Sequence, residues 1–378
     1  MTPVFGEETA PTGEAGMAAA GLSLHETPPV TTSGLGPAVA GPAPGAGGAG
    51  EALPEHRGGL RVPGWSGLLR EYGVYIFLVA LVVYDVVATQ GFTSVAAFRS
   101  LAVEAAPLVL VAVGQALTIG TRGIDLSVGS NMALASAVLP LFFGFSISQP
   151  TERHSAVLAI AGALAVTTAA GIVSGAVVAF LGVQPLIVTL GMQLALRGLA
   201  ESLTSGNQIQ MQDGTLQQLA TGKILGVPNM ALVALLVALL FGAVLRFTTF
   251  GRRVVAIGGN PRASYISGVP VRSTLLAVYA LGGLLAGVAG VLASAYLGAS
   301  DPGDIGQLYE LLAIAAVVLG GTPLSGGRVT VLGTVAGALV LQLLSNTFVS
   351  HNLQPTTATM VEAVIIVAAV YFQKRRGN

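Results

Sequence analysis

From about residue 73 onward the chain alternates long apolar runs with short polar or glycine-rich breaks. The runs approach the roughly 20 residues that a helix needs to cross a bilayer. They fall at about 73–90, 101–120, 126–146, 155–181, 185–204, 229–248, 273–298, 308–320, 328–348 and 356–372. This pattern predicts an all-α integral membrane protein of about ten transmembrane helices. Two of the breaks look alike. Gly123-Ile124-Asp125-Leu126-Ser127-Val128-Gly129-Ser130 joins the second run to the third, and Gly321, Leu324, Ser325 and Gly327 repeat its Gly123, Leu126, Ser127 and Gly129 between the eighth and ninth. Unwound backbone survives at membrane depth only where protein or a polar cavity satisfies it, so paired breaks predict the internally repeated, Gly-broken helices of a transporter.

Composition agrees and narrows the function classes. The chain is 53% hydrophobic and 9% charged, with a mean hydropathy of +0.78; most of it must face lipid or other apolar helices. A net charge of zero, with aromatics at 6% and no basic stripe, excludes a nucleic-acid surface. Cysteine is absent, which removes disulfides and thiolate chemistry. His25, His56, His154 and His351 are scattered singly, so neither a metal site nor a cofactor is expected. Residues 1–56 hold six acids, no Lys or Arg, and runs of Ala, Gly, Pro and Thr. Such a segment buries too little apolar surface to offset chain entropy and reads as a disordered extension, leaving 57–378 as the transmembrane domain.

Charge gives the topology. With the N-terminus inside, the inner segments carry Arg57, Arg61, Arg70, Arg122, Arg252, Arg253, Arg262, Arg272, Arg328, Lys374, Arg375 and Arg376. The outer ones carry only Arg99, Arg153 and Lys223, together with Asp213, Asp301 and Asp304. This asymmetry places both termini in the cytoplasm. Residues 205–228 then form a polar outer loop suited to docking an external partner, and 249–272 form an arginine-rich inner loop.

That inner loop reads Gly251-Arg252-Arg253-Val254-Val255-Ala256-Ile257-Gly258-Gly259-Asn260-Pro261-Arg262-Ala263, with a short amphipathic helix expected over Ala263 to Val269. Together with the Gly123 motif and Gly320-Gly321-Thr322-Pro323-Leu324-Ser325-Gly326-Gly327, it resembles the membrane permeases of bacterial ABC sugar importers of the ribose type. The likeness covers about residues 70 to 375. Gly306-Gln307-Leu308-Tyr309-Glu310-Leu311 looks closest to permeases for galactofuranose-like sugars.

The resemblance implies a permease subunit in the inner membrane, paired with a second permease as homo- or heterodimer, a cytoplasmic ATP-binding subunit and an extracytoplasmic sugar-binding protein. It implies that 251–269 is the coupling segment fitting the ATPase, with Gly251, Arg252, Arg253, Gly258, Gly259, Asn260 and Arg262 as its candidate residues. The positive-inside rule also accounts for its arginines, but not for its glycines and Asn260. The chain lacks a phosphate loop; Gly222-Lys223 runs into Ile224, so it is not itself expected to be an enzyme and ATP hydrolysis belongs to a partner. Three positions depart from the resemblance. Arg122 stands where relatives usually have Gly, Leu312 where they often have Asp, and Glu362 where a Lys is common.

Polar groups inside spans are candidates for the path because they are costly there. Asp125 either faces the path or caps the helix starting at Leu126, with Ser127 satisfying another free N–H. Gln115, Asn131, Gln193 and Asn346 offer amides to a neutral, hydroxyl-rich sugar; interhelical bonding is the alternative for each. Arg197 and Glu201 are expected to neutralise each other four residues apart. Glu104 and Asp85 are expected to reach water. Glu310 is placed at the outer mouth. A related permease for a nucleoside or branched-chain amino acid, or a stand-alone secondary transporter using Glu362, are the alternatives. An intramembrane enzyme lacks a converging set of catalytic groups.

Overall fold

The computed structural model describes residues 65–143, 155–211, 213–354, 357, 360, 361, 363 and 364. The expected disordered extension over 1–56, most of the tenth apolar run and Glu362 lie outside the described residues. The helices are α1 (Trp65–Ala88), α2 (Val95–Gly120), α3 (Val128–Phe143), α4 (Ala156–Phe180), α5 (Pro185–Leu203), α6 (Gly214–Thr221), α7 (Asn229–Phe247), α8 (Thr249–Gly259), α9 (Pro261–Ile266), α10 (Val271–Leu297), α11 (Tyr309–Leu319) and α12 (Val331–Ser350). The first nine apolar runs correspond to α1, α2, α3, α4, α5, α7, α10, α11 and α12. Six described helices have the length and apolarity to cross a membrane; Tyr72–Ala88, Val128–Phe143 and Tyr309–Leu319 are shorter apolar helices.

α2 and α10 form the centre. α2 is buried along nearly its whole length after Val103, and it touches α10, α12, α11 and α7. α10 packs most extensively on α4, then on α2 and α3. Small residues allow this approach, the usual device where lipid supplies no hydrophobic drive between helices. A Cβ on Gly283 would strike the Thr167 carbonyl and stand 3.1 Å from Gly171 Cα, so no larger residue fits between α10 and α4. The 27 residues of α10 carry the chain about 40 Å, from the α8–α9 end of the bundle to the opposite end.

At that opposite end the 205–228 loop is more ordered than its polarity suggests. β1 (Ile209–Gln210) pairs antiparallel with β4 (Ala299–Ser300), in register Ile209↔Ser300. β2 (Lys223–Ile224) and β3 (Val227–Pro228) make a hairpin through Leu225 and Gly226, both at positive φ (50° and 84°), as a type I′ turn requires. Asp213 caps α6, accepting from Thr215 and Leu216 N–H at 2.9 and 2.8 Å. The expected inner loop also differs. Residues 249–259 are helical, with Thr248 as N-cap, because Val254 and Ile257 share a face that the bundle buries. The short helix beyond it is Pro261–Ile266, which starts two residues and ends three residues before the expected Ala263 to Val269.

Candidate functional site

α2 and α11 end in the same way. Gly123 N–H bonds to Thr118 O (3.0 Å) and Arg122 N–H to Ile119 O (2.9 Å); Thr322 N–H bonds to Val317 O (3.1 Å) and Gly321 N–H to Val318 O (2.9 Å). Both are Schellman terminations, which require a left-handed residue just after the helix. Arg122 (φ 67°) fills that position in one and Gly321 (φ 88°) in the other. The structural repeat therefore matches Gly321 with Arg122. The sequence alignment of Gly321 with Gly123 is off by one, because only the backbone reveals a left-handed arginine.

After this turn the chain doubles back along α2. With its carboxamide oriented to satisfy both groups, Gln115 donates to Asp125 O at 3.0 Å and accepts from Asp125 N–H at 3.2 Å. Thr189 Oγ1 on α5 donates to Ile124 O at 3.1 Å. Asp125 is 1% exposed, and its Oδ1 accepts from Ser127 N–H (2.9 Å) and Ser127 Oγ (2.6 Å). Asn131 N–H bonds to Ser127 O at 2.8 Å, which makes Ser127 the N-cap of α3. α3 thus starts at Val128, two residues later than expected, and inside the bundle. There it meets α11: a Cβ on Gly129 would collide with Gly306 O and with a Glu310 carboxylate oxygen. The 11 residues of α11 rise about 16 Å, roughly half the apolar thickness of a bilayer.

Glu310, expected at the outer mouth, is therefore 7% exposed at the starts of two short helices, where helix dipoles favour negative charge. Gln193 Nε2 donates to its Oε1 at 3.0 Å. Arg197 makes no close ion pair with Glu201, although the two charges still attract each other. Its Nη1 donates to Pro302 O and to Ile305 O, the latter at 2.9 Å, and so holds the loop before α11. Ser130 Oγ and both amide atoms of Asn131 are buried on α3 without hydrogen-bond partners, as are Tyr279 OH and Ser294 Oγ on α10.

The other intramembrane candidates are braces. Asn346 Nδ2 donates to Glu104 Oε2 at 2.8 Å and its Oδ1 accepts from Gln342 at 3.0 Å. Asp85 is 1% exposed and accepts from Thr89 (2.8 Å) and from Thr347 (3.0 and 2.8 Å). Asp85 is thus kept from water by Thr89 and by α12, whereas Glu104 is only half-buried and stays partly exposed while α12 donates to it.

The three glycine-bearing segments converge. Gly327 N–H bonds to Gly120 O at 3.1 Å, and Gly258 is wedged so closely that a Cβ would strike both Gly120 O and Gly327 N. Arg122 Nε donates to Gly258 O at 2.5 Å and Nη2 to Gly259 O at 2.6 Å. Asn260 Oδ1 accepts from Ala263 N–H at 3.0 Å and caps α9. Gly251 is buried, while Arg252, Arg253 and Arg262 are exposed. Tyr265 and Ile266, at 69% and 77% exposure, project from α9; the sequence pattern does not single them out. At the opposite end a cavity of about 560 Å³ opens between α6 and the last turn of α10, with Gln210, Gln217, Thr221 and Tyr296 in its wall. Among the described residues, no group of three or more His, Asp or Glu could hold a metal ion.

Comparison with known proteins places this architecture. The family described as the branched-chain amino acid transport system / permease component matches residues 97–370. The ribose import permease of Escherichia coli (strain K12) is 39% identical over 271 residues, covering 71% of this chain and 82% of the relative. The fructose import permease of Bifidobacterium longum is 37% identical over 277 residues (72% and 76%). The galactofuranose transporter permease of Escherichia coli (strain K12) is 35% identical over 273 residues (72% and 78%). No solved structure matches the chain. The family match takes in nearly all of α2 and every later helix through α12, and the chain belongs to this family of transport-system permease components as a multi-pass membrane protein.

Proposed function

We propose that the chain is the permease subunit of an ATP-driven importer that carries a monosaccharide across the bacterial cytoplasmic membrane. It works with a second permease, a cytoplasmic ATP-binding subunit and an external sugar-binding protein, and both termini lie in the cytoplasm. The relatives that carry ribose, fructose and galactofuranose support the substrate class.

The observation that carries the mechanism is the contact of α8 with both helix breaks. Val254, Ile257 and Gly258 face the bundle, whereas Arg252, Arg253, Arg262, Tyr265 and Ile266 face outward. An ATPase gripping the outward side displaces α8, and Gly258 passes that displacement to Gly120 at the end of α2 and to Gly327 after α11. Because α3 and α11 start side by side within the bundle, both breaks act on one region. That region offers a sugar the Glu310 carboxylate, Gln193, and the unpartnered Asn131 and Ser130. Acceptors and amides suit neutral hydroxyls. Gln115, Asp125 and Ser127 shape the α2–α3 turn and act as scaffold; Asn346 is a brace between α2 and α12. The α6 face and its cavity receive the sugar-binding protein.

Reconstitution in lipid discs with the ATP-binding subunit and sugar-binding protein encoded beside this chain tests the reading. ATP hydrolysis is measured against pentoses, hexoses, furanoses and a branched-chain amino acid. Stimulation by one sugar that requires this chain and the binding protein is expected. Stimulation by the amino acid alone, or no association with the ATPase, overturns it.

A further inference from the structure

Arg122 occupies a position that its own backbone disfavours. A left-handed residue closing a helix is normally glycine, since a Cβ adds strain there, and the equivalent place after α11 is Gly321. A side chain has been accepted at the first repeat only, and it makes two charge-assisted hydrogen bonds. Its guanidinium reaches Gly258 O at 2.5 Å and Gly259 O at 2.6 Å. These are the last two carbonyls of α8 (Thr249–Gly259), left without intrahelical partners and lying at the negative end of its dipole. The planar fork of Arg fits two adjacent carbonyls, which a single ammonium does not.

The same guanidinium stem packs against the second break. A Cβ on Gly326 would stand 2.7 Å from Arg122 Cγ, and Gly326 and Gly327 are both left-handed (φ 74° and 80°). One side chain therefore touches the end of α8 and the turn after α11, while its backbone forms the end of α2.

From this we infer that Arg122 is a positioning residue for energy coupling: it latches the C-terminus of α8 to the α2 turn, so that displacement of the α8–α9 segment is transmitted to both helix breaks without slippage. The inference rests on the coupling role proposed for α8 and α9 and adds the part that makes the connection stiff. Gly258 alone transmits a push through van der Waals contact. The two hydrogen bonds of Arg122 also transmit a pull, which alternating access needs on its return stroke.

The test compares Arg122→Gly and Arg122→Lys in the complete importer in lipid discs and in proteoliposomes, with sugar uptake per ATP hydrolysed as the readout. Arg122→Gly relieves the left-handed strain as it gives up two largely exposed hydrogen bonds, so assembly and thermal stability stay close to the wild-type level. Its uptake per ATP is expected to fall by at least roughly threefold, the scale on which non-contacting residues tune coupling between sites. Arg122→Lys, able to reach one carbonyl, recovers part of that loss. An unchanged ratio in Arg122→Gly overturns the latch, as does a ratio equally low in both variants. Ile266→Asp, on the outward tip of α9, separates this result from the broader reading. If Ile266→Asp abolishes sugar-stimulated hydrolysis while Arg122→Gly keeps a normal ratio, α8–α9 couples without a latch. If Ile266→Asp leaves hydrolysis unaltered, the coupling role itself is wrong and the latch falls with it.

Discussion

Two neighbouring glycines at the end of α8 should respond to the same substitution in opposite ways. At Gly258 an added Cβ meets the Gly120 carbonyl and the Gly327 amide nitrogen, both backbone, while at Gly259 nothing lies within 4 Å. Gly258→Ala must therefore part the end of α8 from the two breaks. Forcing a methyl into packed backbone costs about 1–3 kcal/mol. Straining the 3.1 Å Gly327 N–H to Gly120 O bond adds about 1 kcal/mol, giving about 2–4 kcal/mol. Gly259→Ala keeps the carbonyl that receives Arg122 and replaces a helical glycine, a gain of up to about 1 kcal/mol. The assay is the fraction of purified protein that stays monodisperse by size exclusion after heating, followed by sugar uptake in proteoliposomes at matched protein level. Gly258→Ala should melt several degrees lower and carry less sugar; Gly259→Ala should match or exceed the wild type in stability. Equal melting of the two variants would refute the convergence of α8 with both breaks.

Asp125→Asn keeps an oxygen acceptor for Ser127 N–H and Oγ and should retain protein level and melting temperature. Asp125→Leu loses both bonds and should cost about 2 kcal/mol; equal melting of the two variants would show that the Asp125–Ser127 turn is dispensable. Glu310→Gln keeps the size of the side chain but removes the charge between the starts of α3 and α11, so uptake should fall at unchanged stability; uptake at the wild-type rate would remove Glu310 from the path. Asn346→Leu strips the 2.8 Å donor from Glu104 and should lower stability by about 0.5–2 kcal/mol, the range for interhelical hydrogen bonds in membranes. Wild-type sugar affinity in that variant is expected and would separate the brace from the path.

The spans were legible because hydropathy is a local quantity: α2, α4, α5, α7, α10 and α12 each declare themselves by length and apolarity. The two glycine-bearing breaks after α2 and α11 were legible for the same reason, though not their register. Pairing was not. Arg197 has Glu201 four residues away in sequence, yet it bonds to the carbonyls of Pro302 and Ile305. Those carbonyls carry no side-chain signature, and only the fold brings them near. Asp85 reads as a group reaching for water until Thr347 of α12 stands beside α1, while Glu104 stays partly exposed and takes a donor from α12 as well.

By itself the sequence determined that this is an all-α membrane protein with glycine-broken helices, since the bilayer demands apolar length and satisfied backbone whatever the packing. Tertiary structure alone decided the true register of the repeat, with Arg122 in the left-handed place of Gly321, and the meeting of Gly120, Gly258 and Gly327. The physical reason is that a left-handed arginine is held by contacts more than a hundred residues away. Its backbone strain, unlike that of a glycine, is offset only once those carbonyls are in place.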